Sequence, residues 1–297
     1  ITKIETIDQY DQLFGLETLH PLVNVIDFSK ATKTVEYYHM NIGFYSLFLK
    51  DAKCGDLRYG RKYYDYQEGT VVCMAPGQVI GIDNRKKTPQ RTKSIGVLFH
   101  PDLIRGTSLG QNIKNYSFFS YEVNEALHLS EQEKEIVTDC IHKIQIELEH
   151  AIDKHSKQLI VRNIELLLDY CMRFYERQFI TRNQVNKDII VRFEHLLDEY
   201  FQGQVALTEG LPSVKYFADK VCLSPNYFGD LIKKETGKTA QEYIQCRIIE
   251  LAKERILEGS QTVSQIAYEL GFQYPQHFSR LFKKHVGYTP NEYKQQN

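Results

Sequence analysis

The sequence lacks the features that place a protein in a membrane or in an oxidising compartment. Charged residues interrupt every apolar stretch well before 18 residues, and residues 1–10 contain no basic segment followed by an apolar one. The sequence therefore predicts no membrane span and no secretory signal. None of the six cysteines forms a CxxC pair, which favours small buried thiols over disulfides or a zinc site. We expect a cytoplasmic protein.

The sequence also has almost no net charge, whereas nucleic-acid-binding domains are typically basic. The formal charge of −1 is unevenly distributed along the chain. Residues 213–297 contain 12 Lys and Arg against 9 Asp and Glu, which is +3, and residues 1–212 contain 25 against 29, which is −4. Local clusters of charge must therefore decide whether the C-terminal part binds an anionic partner.

The length and composition predict a folded protein of two domains. The chain has 297 residues, of which 42% are hydrophobic and 25% charged, close to the averages of globular proteins. In residues 1–125, short apolar runs rich in Val, Ile, Tyr and Phe alternate with turn residues, which is typical of a β-sandwich or barrel. The predicted strands are residues 22–28, 43–49, 69–74, 79–82 and 94–99.

Residues 126–182 are predicted to form a pair of amphipathic helices. Ser130 and Glu133 have the spacing of a capping box, after which apolar residues recur at helical intervals. Two such helices form an antiparallel pair, and an uncovered apolar stripe predicts a dimer face. The polar run 181–187 is expected to be a loose linker to a helical domain over residues 183–297. The stripe of the second helix consists of Ile160, Ile164, Leu167, Cys171 and Phe174.

The C-terminal region contains an internal repeat. At an offset of 50 residues, 8 of the 16 positions in residues 228–243 are identical to those in residues 278–293. Upstream the offset becomes 49 and matches Ala218 to Ala267, so the copies differ by one residue in a turn. A duplicated structural unit is therefore predicted.

Each copy has the pattern of two short helices joined by a tight turn, over about residues 213–237 and 262–286. Such a pattern is typical of a helix-turn-helix, whose second helix enters the DNA major groove. A predicted joining helix, Ala240–Glu258, would span about 28 Å at about 1.5 Å per residue. This length is close to the roughly 34 Å between successive major grooves on one face of DNA. The basic residues of the second helices are Lys233, Lys234, Arg280, Lys283 and Lys284.

These motifs closely resemble the AraC/XylS family of bacterial transcription regulators. The resemblance covers roughly residues 190–297 and is carried by residues 262–272 and 277–284, with a first copy that differs from the usual pattern at Ala240. It implies sequence-specific binding to promoter DNA, RNA polymerase as a further partner, and no enzymatic activity. The implied base-facing positions are Asn226, Gly229 and Asp230 in the first copy and Gln276, His277 and Arg280 in the second.

The full set of predicted DNA contacts combines the base-facing, basic and helix-start residues. Because Gly and Asp are poor base readers, we expect the second copy to carry more of the discrimination. The set consists of Ser224, Asn226, Tyr227, Gly229, Asp230, Lys233, Lys234, Gln276, His277, Arg280, Lys283 and Lys284.

The N-terminal part is similar to the cupin-like sensor domains that often accompany this DNA-binding domain, which implies a small-molecule effector. Tyr37, Tyr38, Tyr63 and Tyr64 are candidate effector contacts because tyrosine offers a stacking face and a hydroxyl. Packing alone also places tyrosines on strands.

No His-x-His pair occurs in the sequence, so we expect neither a metal nor a cofactor, and His39 and His100 should be packed or hydrogen-bonded rather than ligands. The fold class predicted is α+β, with a β-rich sensor, a helical pair that forms a homodimer, and two helix-turn-helix motifs. Two alternatives stay open: a metal-dependent cupin enzyme fused to a DNA-binding domain, and a ligand-independent regulator whose N-terminal domain binds only a partner protein.

Overall fold

The chain forms two units, Ile1–Thr181 (unit 1) and Arg182–Asn297 (unit 2). Unit 1 combines β-sheets with helices, and the described part of unit 2 is helical, which confirms the predicted α+β class. The computed structural model describes residues 1–33, 37–50, 57–59, 62–64, 69–83, 94–121, 125–151, 153–181, 183–203 and 205–296.

The strands of unit 1 form two five-stranded sheets, in the orders β1-β3-β8-β5-β6 and β10-β7-β4-β9-β2. Neighbouring strands are antiparallel except for β1 and β3, which are parallel. The strands are β1 Thr2–Ile4, β2 Val23–Asp27, β3 Tyr37–Ile42, β4 Tyr45–Lys50, β5 Leu57–Tyr59, β6 Lys62–Tyr64, β7 Thr70–Met74, β8 Val79–Asp83, β9 Ser94–Phe99 and β10 Leu127–His128.

Helix α1 lies between β1 and β2, α2 and α3 lie between β9 and β10, and the remaining helices follow β10 along the chain. The helices are α1 Ile7–Phe14, α2 Pro101–Ile104, α3 Ser108–Asn112, α4 Glu131–Glu149, α5 Ser156–Thr181, α6 Asn183–Gln202, α7 Val205–Glu209, α8 Val214–Lys220, α9 Pro225–Thr236, α10 Ala240–Glu258, α11 Val263–Glu269, α12 Pro275–Val286 and α13 Pro290–Gln296.

The core of unit 1 lies between the two sheets and is closed by α1. Met40 and Ile42 from one sheet join Phe48 and Leu98 from the other in a single apolar cluster, and Phe14 of α1 packs against it. Alternating inward residues explain why both sheets present an apolar face. The five predicted runs correspond to β2, β4, β7, β8 and β9, whereas β1, β3, β5, β6, β10 and α1 lie outside the predicted runs.

Helices α4 and α5 form the predicted pair, but the predicted dimer stripe is not exposed. Ser130 and Glu133 make both bonds of the capping box, and Arg177 of α5 donates to Glu133 at 2.6 Å. All five stripe residues, from Ile160 to Phe174, are at most 5% exposed. The stripe belongs to the core of unit 1, because α4 and the sheet edge cover it.

The polar run 181–187 is not the loose linker that its composition indicated. Helix α6 begins at Asn183, so most of the run is helical. Asn186 is 1% exposed and its amide donates to Glu235 of α9 at 3.3 Å. The run contains no Gly or Pro to end a helix, and the apolar residues that hold α6 in place lie further along it.

The five cysteines among the described residues are buried only in part, contrary to the expectation, and Cys54 lies outside the described residues. Cys73, Cys140 and Cys171 are buried, Cys246 is intermediate and Cys222 is exposed. Cys222 lies in the turn between α8 and α9.

Candidate nucleic-acid interface

Unit 2 contains two helical hairpins with the same turn geometry. Between α8 and α9, the Leu223 amide donates to the Ala218 carbonyl at 3.0 Å, and between α11 and α12, the Phe272 amide donates to the Ala267 carbonyl at 3.0 Å. Both alanines are fully buried, as expected where the paired helices touch. The two hairpins are the predicted helix-turn-helix motifs, and we call their second helices, α9 and α12, the recognition helices.

Both turns contain a residue with left-handed backbone. Cys222 has φ 63° and Gly271, its counterpart at an offset of 49, has φ 91°. A Cβ at Gly271 would lie 2.6 Å from the carbonyl carbon of Gly210, so the second turn needs glycine for space as well as for conformation.

Helices α6 and α10 hold the first motif in place. The ring of Phe193 in α6 packs edge-on against Phe217 and Phe228, with centroids 5.1 Å apart in each case. The Arg247 guanidinium of α10 donates to Asp198 of α6 at 2.8 Å. Helix α10 also buries six apolar residues along its length. Helices α6 and α10 therefore pack against the inner face of the motif, and its outer face stays exposed to solvent.

Most predicted contacts lie on the outer faces of the recognition helices. The inner faces are buried through Phe228, Leu231 and Ile232 in α9 and through Phe278 and Phe282 in α12. Gly229 and Asp230 are half-buried. The exposed predicted contacts are Asn226, Lys233 and Lys234 in α9 and Gln276, His277, Arg280, Lys283 and Lys284 in α12.

Two predicted contacts, Ser224 and Tyr227, lie inside the fold instead. Ser224 is 3% exposed, and its hydroxyl accepts from the Tyr227 amide at 3.2 Å, so its side chain caps α9. The Tyr227 side chain is 4% exposed. Burial removes both side chains from the outer face of α9, and neither belongs to the interface proposed below.

Acidic residues lie close to lysines of both recognition helices. The pKa of Glu242 is lowered, chiefly by hydrogen bonds from Thr239 and further by the charges of Lys284 and Lys233. Hydrogen bonds from Thr289 and the charge of Lys283 lower the pKa of Glu292 in the same way. Arg280 is exposed and takes part in none of the ion pairs of the described residues. Its guanidinium donors are therefore available for a ligand.

Sequence reasoning missed Tyr274, which lies directly before α12. Its ring centroid is 5.5 Å from that of His277, one of the predicted base-facing residues. The repeat held a signal for this residue, because Tyr274 occupies the place that Ser224 has in the first copy.

A second candidate site lies in unit 1, at the end of the helical pair. A cavity of about 140 Å³ opens between the segment before β2, α2 and the facing ends of α4 and α5. Its polar lining consists of His20, Glu147, Asp153, Ser156 and Lys157. The His20 Nδ1 accepts from the Leu22 amide at 3.1 Å, and burial lowers the pKa of His20. A neutral ring in this tautomer presents an Nε2–H donor.

The predicted tyrosine site lies outside the described side chains. Tyr37 and Tyr38 belong to β3 and Tyr63 and Tyr64 to β6, both in the same sheet. His100 is hydrogen-bonded, as expected, since its Nδ1 accepts from the Asp102 amide at 3.2 Å. Within the described ranges, no group of three or more His, Cys, Asp or Glu could hold a metal ion, and no helix there is both long and apolar enough to cross a membrane.

Comparisons with known proteins match the part of the chain that contains the two motifs. A family model described as a helix-turn-helix domain matches residues 217–296. The chain is 38% identical over 85 residues to the transcriptional regulatory protein YesN of Bacillus subtilis, covering 28% of this chain and only 23% of YesN. It is 33% identical over 144 residues to the TetD protein of transposon Tn10 from Escherichia coli, covering 48% of this chain and 91% of TetD.

A longer match extends well into unit 1. The chain is 24% identical over 230 residues to the probable transcriptional regulator LumQ of Photobacterium leiognathi, covering 76% of this chain and 83% of LumQ. The duplicated motif and the family match define unit 2 as a domain of the helix-turn-helix class, and both YesN and LumQ are named as transcription regulators. The chain belongs to the AraC/XylS family of transcription regulators, as its sequence motifs indicated.

Proposed function

We propose that the chain regulates transcription by placing α9 and α12 in two successive major grooves of promoter DNA. The observation that carries this proposal is the duplication itself: two recognition helices with buried inner faces and polar outer faces are joined by α10, which is 19 residues long. At about 1.5 Å per residue this helix spans about 28 Å, close to the distance between successive grooves. Contact with RNA polymerase is part of the same proposal.

The two helices contribute differently to the proposed recognition. Arg280 is unpaired among the described residues and offers the fork of donors that binds guanine O6 and N7. Gly229 has no side chain to reach a base, and Asp230 is half-buried. Helix α12 therefore carries most of the sequence discrimination, and the lysines contribute affinity through phosphates.

The test compares Arg280→Ala with Lys283→Ala in titrations of operator and random DNA at several salt concentrations. We expect Arg280→Ala to cost about 1–3 kcal/mol and to relax specificity at one position, and Lys283→Ala to weaken all sequences alike and reduce the salt slope by about one. Arg280→Lys keeps the charge without the fork and should lose the same discrimination. Lys294→Ala, which removes an exposed charge from α13, is the control for Lys283→Ala. Equal weakening of specific and random DNA by Arg280→Ala would contradict the base-reading role.

We propose that unit 1 is a sensor that binds a small polar effector in the cavity beside His20 and Lys157. A volume of about 140 Å³ corresponds to roughly five waters in the liquid, so only a compact molecule fits. The Nε2–H donor of His20 and the ammonium group of Lys157 can bind a ligand carboxylate, and the carboxylates of Glu147 and Asp153 can bind a ligand ammonium group. The lining therefore favours a compact zwitterion such as an amino acid. The four predicted tyrosine contacts, Tyr37, Tyr38, Tyr63 and Tyr64, stay a prediction, since the described side chains do not include them.

A melting-temperature screen with small carboxylic acids and amino acids tests the sensor proposal. We expect one chemical class to raise the melting temperature of the wild type and to lose this effect in Lys157→Met. Lys154→Met, which changes an exposed lysine three residues away, should respond like the wild type. If none of these compounds shifts the melting temperature of the wild type, the cavity is not an effector site.

We also propose that unit 1 forms a homodimer through the outer surface of α4 and α5. Ile146 is 50% exposed, Leu159 44% and Leu166 41%. They lie on the two antiparallel helices of the pair, on faces that the core of unit 1 does not cover. Large apolar side chains exposed together on a helical pair are typical of an interface.

A further inference from the structure

The second recognition helix begins differently from the first. Both helices have proline in their first turn, but the N-cap residue is Ser224 in α9 and Tyr274 in α12. The Ser224 hydroxyl accepts from the Tyr227 amide at 3.2 Å, whereas Tyr274 makes no side-chain capping bond. A tyrosine at this position therefore leaves the helix start less stable than a serine would.

The Tyr274 ring gains no burial that would offset the missing cap. It is 56% exposed and lies beside the exposed ring of His277, with centroids 5.5 Å apart and ring planes 64° apart. The His277 amide also donates to the Tyr274 carbonyl at 3.0 Å. In the first copy the equivalent of His277 is Tyr227, which is buried. The contact between an exposed ring before the helix and an exposed ring in its first turn is thus specific to the second copy.

We infer that Tyr274 is a specificity-determining residue that positions the His277 imidazole for reading a base. This inference rests on the proposed base-reading role of α12. A free histidine side chain samples several rotamers, and the edge-to-face contact with Tyr274 restricts them before DNA is bound. Less conformational entropy is then lost when the imidazole meets a base edge, so the preferred base is bound more tightly than its competitors.

The variant that tests this inference restores the residue of the first copy. Tyr274→Ser gives α12 a capping hydroxyl like the one that Ser224 gives α9, so we expect the melting temperature of this variant to be above that of the wild type. Its preference at the base pair read by His277 should fall about tenfold, since a well-oriented base contact contributes discrimination of about this size. Stability and specificity change in opposite directions, which a purely structural role for Tyr274 does not allow.

Three further proteins make the result decisive. Tyr274→Phe keeps the ring and should keep the base preference. Tyr274→Asn supplies a different capping group and should behave like Tyr274→Ser. Tyr288→Ser, which removes an exposed tyrosine beyond the C-terminal end of α12, is the control and should leave the base preference unchanged.

The comparison with His277→Ala separates this inference from the function on which it rests. Binding to a set of operators with each base at each position should show the same lost preference in His277→Ala, in Tyr274→Ser and in the double variant. A preference that His277→Ala loses and that both Tyr274→Ser and Tyr274→Asn retain would overturn the inference and leave the proposed function intact. If His277→Ala loses no preference at any position, the base-reading role of His277 is itself wrong.

Discussion

At the scale of the residue, the two turns differ in backbone strain. Cys222 holds φ 63° with a side chain, whereas Gly271 adopts φ 91° without one. A left-handed conformation costs a non-glycine residue about 1–2 kcal/mol, and the flexibility of glycine in the unfolded chain costs about 0.5–1 kcal/mol. Cys222→Gly should therefore raise the free energy of unfolding by about 0.5–1 kcal/mol in urea titrations. Gly271→Ala should be strongly destabilising, because it adds a Cβ at a left-handed position with no space for it. A Cys222→Gly variant that is less stable than the wild type would show that the first turn is not strained.

A second prediction at this scale concerns a buried carboxylate in unit 1. Asp11 is 0% exposed, and its Oδ2 accepts from Thr18 and Asn24 at 2.7 Å in each case. Its Oδ1 and the Oδ1 of Asn24 have no hydrogen-bond partner. Burial raises the pKa of Asp11, an effect that the bonds from Thr18 and Asn24 reduce. Folding therefore makes Asp11 easier to protonate than it is in the unfolded chain.

The sign of the pH dependence follows from this raised pKa. Asp11 makes its full contribution to the free energy of unfolding at a pH below its pKa in the unfolded chain. That contribution is lost as the pH rises through the pKa of Asp11 in the folded protein. Asp11→Asn keeps the group neutral and can replace the unpartnered Oδ1 with an amide donor. We expect it to be more stable than the wild type at neutral pH, with a difference that shrinks as the solution is acidified. A difference that does not depend on pH between 3 and 8, measured by urea titration, would contradict the role assigned to the Asp11 charge.

At the scale of the element, α6 is the structural start of unit 2. It supplies Phe193 to the core of the first motif and Asp198 to the ion pair with Arg247. A fragment of residues 183–297 should therefore fold cooperatively and bind DNA. A fragment of residues 205–297, which has both motifs but lacks α6, should fail to unfold cooperatively in circular dichroism. DNA binding by the shorter fragment with unchanged affinity would show that α6 is dispensable.

The sequence predicted elements best where their ends are held by local bonds. The capping boxes of α4, α10 and α11 involve residues three apart in the chain, so they are visible without knowledge of the fold. Thr6 and Gln9 form the same box at α1, but that helix has only eight residues, so its apolar stripe of Ile7, Tyr10 and Phe14 is too short to predict a helix. The first residues of α6 show no apolar periodicity. The position of this helix start depends on packing further along the helix, so the sequence pattern does not predict it.

The same distinction applies to the candidate site. The repeat predicts which residues of the recognition helices face outward, because helical periodicity fixes the faces once the inner residues are known. It does not predict that Tyr227 is buried or that Tyr274 contacts His277. Both depend on how the turn between the helices is closed, and that turn is one residue longer in the second copy.

At the scale of the whole molecule, the proposed dimer gives a prediction that the structure sharpens. Ile160 and Leu167 are 3% and 1% exposed, so a charge at either would unfold the helical pair. Leu159→Glu and Leu166→Glu place a charge on the exposed face and should produce a folded monomer in sedimentation velocity. Leu257→Glu, at an equally exposed position in α10, should leave the dimer intact. A wild-type protein that stays monomeric at high micromolar concentration, with and without operator DNA, would refute the dimer.

The continuous helix α10 has a consequence for the DNA that such a protein can read. Both motifs pack against one helix that contains no glycine or proline between Ala240 and Glu258, so the distance and the rotation between the recognition helices are set together. Each base pair inserted between the two contacted segments of an operator rotates one segment by about 34° relative to the other. A flexible tether would absorb this rotation, whereas α10 does not. The spacing within an operator is therefore as much a part of the recognised sequence as its bases.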